Sequence, residues 1–185
     1  ETEPAWPGRT VWKEANVLSF VPDEMPKLGT TYTFTLIGKH VHLDGSPVPA
    51  GKLGTASTPA PDIDYATLFG RYTGEWSART AAYYLTFNGE VDPEAAAPFF
   101  HYVDKEGQRV AARVWRPNFG ELKQPGYVRP TFRQSYEAAL AGRDFEPELT
   151  PGFEPANGLM VEPASPLPVG EEWNLVARAG LPVGD

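Results

Sequence analysis

The chain has no cysteine among its 185 residues, which excludes disulfides, thiol nucleophiles and thiolate zinc sites together. No apolar run approaches the roughly 18 to 20 residues that a membrane-spanning helix needs, so no membrane span is expected in it. Basic charge is in deficit. Lys and Arg number 16 against 24 Asp and Glu, leaving a net charge of −8 and a pI near 4.9. That is the wrong sign for a phosphate backbone or an anionic leaflet, so nucleic acid is not expected as a partner. Uninterrupted helix-forming stretches are few, because 20 Pro and 18 Gly divide the chain into short segments. What is present is a 41% hydrophobic, 12% aromatic composition, enough for one or two folded domains with a core of their own.

The short segments read as strands. In Thr30–Leu36, Tyr32, Phe34 and Leu36 alternate with threonines, the pattern of a strand with one buried and one wet face. Val17–Val21, Ala82–Phe87, Phe99–Val103, Val110–Trp115, Gly158–Glu162 and Glu172–Ala177 are similar, each closed by Gly, Pro, Asn or Asp. Asp44-Gly45 and Glu106-Gly107 are turn dipeptides, the second inside a hairpin. One short helix is expected within Thr131–Ala141, with Gly142 as its C-cap, and a single turn after Asp92 at Pro93.

Sliding the chain against itself by 141 positions superimposes two segments without a gap. Leu18, Phe20, Pro22, Leu28, Gly29, Tyr32 and Phe34 fall on Leu159, Val161, Pro163, Val169, Gly170, Trp173 and Leu175. Each copy predicts a strand ended by Pro, a Gly turn and a returning strand paired with the first. The expected architecture is all-β: two antiparallel β-sandwich domains with one short helix in an insertion of the second. The domains are placed at 1–60, with a linker at 61–75 around Thr58-Pro-Ala-Pro-Asp62, and at 76–185 with the insertion at about 120–156. Only 17 residues precede the motif in the first copy and about 80, from Trp76, in the second. The first domain is therefore expected to be incomplete, either because the segment is a fragment of a longer protein or because strands from elsewhere complete its sheet.

Leu28–Leu36 followed by Leu43-Asp-Gly-Ser-Pro47 resembles the end of a bacterial Ig-like domain of the alpha-2-macroglobulin family. The second copy continues the resemblance in Tyr84–Asn88, Val91-Asp-Pro93, Tyr102–Asp104 with Gly107, and Pro166–Gly170 running through Leu175 to Leu181-Pro182. The resemblance implies Ig-like, macroglobulin-like domains in a large periplasmic or otherwise extracellular, cell-envelope protein that entraps proteases as a broad-range endopeptidase inhibitor. The segment would be a non-catalytic scaffold whose partners are neighbouring domains of the same parent chain and, through the parent, proteases. The family's Cys-x-Glu-Gln reactive centre is not in this segment. Gly120–Ala156 departs from the pattern and reads as the insertion.

Candidate chemistry is sparse. His40-Val-His42 with Asp44 has a spacing that zinc sites use; the competing reading puts both imidazoles on the wet face of a strand, with Val41 and Leu43 pointing in. Glu90, Asp92 and Glu94, and Asp62 with Asp64, are acidic pairs of the kind used for calcium or acid–base work, although Asp92 is equally suited to cap the Pro93 turn. There is no Gly-x-Ser-x-Gly and no phosphate-binding glycine loop. No enzyme activity and no cofactor are expected. The alternative function is an Ig-like adhesion or carbohydrate-binding module. In that reading Trp115, Tyr83 and Phe99 would form a contact surface, because the adjacent pairs Tyr83-Tyr84 and Phe99-Phe100 must point to opposite sheet faces.

Overall fold

The computed structural model describes residues 1–14, 17–42, 44–72, 79–118, 128–147, 150–168 and 170–184. The chain divides into two compact units, Glu1–Ala60 and Pro61–Asp185. Both are built from antiparallel strands, and the fold is all-β and sandwich-like.

In the first unit, β1 (Thr2–Glu3), β4 (Thr31–Leu36) and β7 (Gly51–Ser57) form one sheet, β2 (Gly8–Glu14) and β3 (Val17–Pro22) a second, and β5 (His40–Val41) with β6 (Pro47–Val48) a small hairpin. Alternation on β4 sends Tyr32 and Leu36 into the interior. Phe20 of β3 meets Phe34 of β4 edge-on at 5.4 Å between ring centres, and Trp6 lies over Tyr32 at 4.6 Å. The two sheets thus face each other through an aromatic contact.

The second unit is one curled sheet of six strands in the order β13-β10-β11-β12-β9-β8. Its strands are β8 (Ile63–Tyr72), β9 (Arg79–Phe87), β10 (Phe100–Asp104), β11 (Arg109–Trp115), β12 (Gly158–Pro163) and β13 (Trp173–Ala177). The β10–β11 hairpin turns through Gly107, and the Asp104 carboxylate accepts from the Glu106 and Gln108 amides at 2.9 and 2.8 Å. Helix α1 (Pro93–Ala96) is capped by Asp92, whose Oδ1 accepts from the Ala95 amide at 2.8 Å. Helix α2 (Phe132–Leu140) opens on a Thr131–Gln134 capping box. It closes on Gly142 in the left-handed region, with Arg143 N–H donating to Ala138 and Gly142 N–H to Ala139, a Schellman end.

Strict alternation gives this sheet two covered faces. Leu85, Phe87, Leu159 and Val161 join a core with Val91, Ala96 and Phe100, while Ala82, Tyr84 and Met160 face the other way onto Val128. That second face is covered by the segment expected as an insertion, with Phe153 also packed there.

Residues 63–72 correct one expectation. Their composition places them in the linker, yet they form β8, hydrogen-bonded along β9 from Ile63↔Phe87 to Tyr72↔Arg79. The motif found by self-alignment is a second correction, because its two strands are not ladder neighbours. β3 and β4 belong to different sheets, and β10 and β11 lie between β12 and β13. The six-residue spacer carries the chain across the sandwich instead of around a hairpin. The equivalence itself is visible in the structure. β3 and β12 have boundaries that match at the same offset, both ending on Pro, and Gly29 and Gly170 both have positive φ. Val169 lies outside the described residues. Moreover, Thr10 stands opposite Phe20 as Val114 stands opposite Val161, and Thr2 opposite Phe34 as Tyr102 opposite Leu175. Strands β1 to β4 thus repeat β10 to β13 in chain order and in the register of two pairings, although β1 and β2 belong to separate sheets where β10 and β11 are ladder neighbours.

Tyr102 reaches from β10 over β11 to donate to the Val161 carbonyl at 3.0 Å. Burial pushes the Tyr102 hydroxyl well above its ordinary value, reinforced by Tyr83 and Glu162; Tyr84 is raised in the same way by burial and by Tyr65. A raised folded pKa keeps its contribution to stability complete below the unfolded value, about 10, and loses it as pH rises above that. The expected result is a loss of unit 2 stability above about pH 10, with these two tyrosines ionising only on unfolding. Tyrosinate absorbance followed beside circular dichroism checks this. Replacing both residues by Phe should flatten the alkaline slope.

Candidate functional site

The residues expected to do chemistry are not gathered in one place. His40 donates through Nε2 to the Ile37 carbonyl at 2.8 Å. His42 is half-buried, its ring 6.1 Å from that of Trp12. Asp44 is fully engaged by its own turn, accepting from the Ser46 hydroxyl at 2.6 Å and the Ser46 amide at 2.9 Å. These bonds, side chain first, hold its carboxyl below the usual carboxylate range. Among the described residues, no three His, Asp or Glu side chains converge as metal ligands. The orientation expected for this strand is also corrected. Val41 is 62% exposed, while His42 is half-buried beside the exposed Trp12; Leu43 lies outside the described residues.

The aromatic candidates do not share a surface. Tyr83 is half-buried on the first core of unit 2, with its ring 6.5 Å from Tyr102. Trp115 packs on the opposite core, with the Arg113 guanidinium 5.1 Å from its ring centre. Phe99 sits beneath Arg178 at 5.8 Å. The outward member of the Tyr83-Tyr84 pair is Tyr84, and it is fully buried under Val128 and beside Tyr65, not presented to solvent.

Unit 1 contains a cleft of about 430 Å³ between β3 and the β1-β4-β7 sheet. Its floor is Leu18, Phe20 and Phe34, and its rim includes Ile37, His40 and Leu53. The rim residues Ile37 and Leu53 are 57% and 59% exposed. Phe20 extends into this space because Gly8 lies under its ring; a Cβ at that position would collide with the Phe20 ring. The second unit makes the opposite choice at the same positions, with the smaller Val161 beside the larger Ala112.

No family model, curated protein or solved structure matches the chain.

The cleft is therefore interpreted by its own chemistry. Its walls are aliphatic and aromatic side chains, with threonine hydroxyls from Thr2, Thr10, Thr35 and Thr55 and with Glu1 and His40 at its edge. The apolar part of such a lining suits apolar groups. Sequence reasoning singled out Leu18, Phe20 and Phe34 only as repeat positions.

Proposed function

We propose that this chain is a non-catalytic framework segment, in which one β-module is built twice and acts by its shape and packing. The observation that supports this reading best is the recurrence of β1–β4 as β10–β13 in the same chain order and in the register of two pairings, the mark of a repeated building unit. The macroglobulin resemblance extends the proposal. The parent would be a periplasmic or extracellular cell-envelope protein that entraps endopeptidases, with these modules holding the trap in shape. The engagement of Asp44, Asp92, Asp104 and His40 in turns, caps and a carbonyl contact fits a segment whose polar groups serve folding.

Two measurements test the proposal. Reading the coding sequence on both sides of this segment should reveal further β-rich modules of the same kind; wall-anchoring or catalytic domains there would overturn the macroglobulin reading. Screening the chain on a glycan array should give no saturable binding. Glycan binding that disappears in Trp115→Ala would replace the framework with the adhesion module.

A further inference from the structure

An asparagine followed by glycine is prone to lose its side-chain amide, because a residue without Cβ lets its own backbone nitrogen approach the asparagine side-chain carbon closely. Two such dipeptides occur, Asn88-Gly89 and Asn157-Gly158. Both belong to unit 2, and the fold treats them oppositely. Asn157 is buried, and its Nδ2, the group that would leave, donates to the Phe87 and Arg129 carbonyls at 2.7 and 3.1 Å. The attacking nitrogen is engaged as well, since Gly158 N–H donates to the Pro155 carbonyl at 3.1 Å. A Cβ on Gly158 would fall 2.8 Å from Pro155 Cγ, so the backbone has little room to turn there.

Asn88-Gly89 lies in a bend just past the end of β9 at Phe87. Asn88 is half-buried, and its Oδ1 accepts from the Asp62 amide at 2.9 Å. Negative charge gathers on this oxygen when a nitrogen attacks the adjoining Cγ, so an N–H fixed there favours the step. Gly89 is buried, yet among the described residues its N–H has no acceptor. A buried backbone N–H without a partner is rare, and this nitrogen has no hydrogen bond to give up before it attacks. The main chain of Asn88 carries a structural duty. Its N–H donates to the Asp62 carbonyl at 3.2 Å, and its carbonyl accepts from the Phe132 amide at 2.6 Å. These bonds tie the approach to β8 and the first residue of α2 to the end of β9.

We propose that Asn88-Gly89 is a self-modification site, where the chain deamidates through a cyclic imide and thereby loosens the cover on the second face of the sheet. Hydroxide from solvent removes the Gly89 N–H proton, and the electron pair of the nitrogen forms a bond to Asn88 Cγ. The Cγ–Nδ2 bond then breaks, and ammonia leaves with a proton taken from water. A second water opens the ring. Addition at Cγ leaves aspartate at position 88, and addition at the main-chain carbonyl leaves isoaspartate. Aspartate keeps the backbone as it was. Isoaspartate routes the main chain through the side-chain carbon and lengthens it, which displaces the carbonyl that holds the Phe132 amide. The site goes beyond a framework role and does not depend on the macroglobulin resemblance.

The test ages the full, unsubstituted chain in mildly alkaline buffer and follows it by peptide-mapping mass spectrometry. Conversion at Asn88 is expected to be at least about tenfold faster than at Asn157, with isoaspartate among the products and a rate that rises with pH. The same chain unfolded in urea is the control. There only local sequence acts, so the two rates should converge. Hydrogen exchange on aged chains that carry isoaspartate should be faster at 128–140 than on fresh ones. Three results would overturn the proposal: conversion at Asn157 as fast as at Asn88 in the folded chain, no conversion at Asn88 while the unfolded chain converts, or aspartate as the sole product. Exchange at 128–140 that is unchanged by isoaspartate would overturn the loosening of the cover.

Discussion

Leu159→Ala is expected to destabilise unit 2 by about 3 kcal/mol, while the matched change Leu18→Ala costs unit 1 less than about 1 kcal/mol. The two leucines occupy equivalent positions on equivalent strands, so strand propensity and backbone geometry cancel in the comparison. What remains is the surroundings. Leu159 is fully enclosed with Leu85, Phe87 and Val161, and its truncation leaves a cavity that flanking strands on both sides prevent from collapsing. Leu18 lines an open cleft, so truncation removes surface that water already reaches. Because the chain has two units, a single two-state fit is not appropriate; urea titration with hydrogen exchange read separately on 17–36 and 158–177 keeps them apart. Equal costs would mean that β3 is as enclosed as β12.

Most of the strands that sequence patterning reveals lie in ladders that run without interruption, although β3 and β4 are read from their alternation across ladders that carry a shift. β9, β10, β11, β12 and β13 pair with one another in continuous register, so apolar residues recur at every second position and are visible as such. Of the strands that patterning misses, the three long ones, β2, β7 and β8, each contain a register shift, whereas β1 and β6 are only two residues long. The extra residues are Lys13 in β2, Leu53 in β7 and Asp64 in β8. A bulge of one residue reverses which side chains face inward, so Ile63, opposite Phe87, and Tyr65, opposite Thr86, fall on different faces although they are two positions apart, and the segment resembles a linker. β7 is further disguised by its exposure, since an edge strand of Gly, Lys, Thr, Ala and Ser buries too little to need a pattern.

Pairing was less legible than the strands themselves. A Pro, a short spacer and a Gly are compatible both with a hairpin and with a crossing between sheets, and the choice depends on strands far away in the chain. For the candidate site, the His-x-His spacing drew attention to a turn whose polar groups satisfy one another. No motif marks the cleft, because its apolar residues Leu18, Phe20 and Phe34 carry only the alternation of ordinary strand positions.

Asn157→Ala is expected to destabilise unit 2 by about 2 kcal/mol and to loosen the covering segment before the sheet itself. The Asn157 side chain is buried, and its Nδ2 donates to the Phe87 carbonyl at 2.7 Å and to the Arg129 carbonyl at 3.1 Å. One group thereby ties the end of β9 to the segment that precedes α2. Removing it leaves two carbonyls without this donor in a region closed to water. Arg116 gives a second tie, donating to the Pro155 and Val91 carbonyls at 2.6 and 2.7 Å, so the cover should loosen without detaching. Hydrogen exchange should accelerate first at 128–140 and only later at 82–87. Asn157→Asp provides the sharper test. A carboxylate placed against two carbonyl oxygens is repelled by both and buried, so its folded pKa must lie above the unfolded value of about 3.9. The proton is then taken up on folding. Relative to Asn157→Ala, the stability of Asn157→Asp should be greatest below about pH 4, where the protonated carboxyl can donate one of the lost bonds, and should fall as pH rises through the folded pKa. At neutral pH the Asp variant should be the less stable of the two. If the two variants respond identically to pH, the carbonyls of Phe87 and Arg129 do not depend on this side chain, and the cover is held by packing and Arg116 alone.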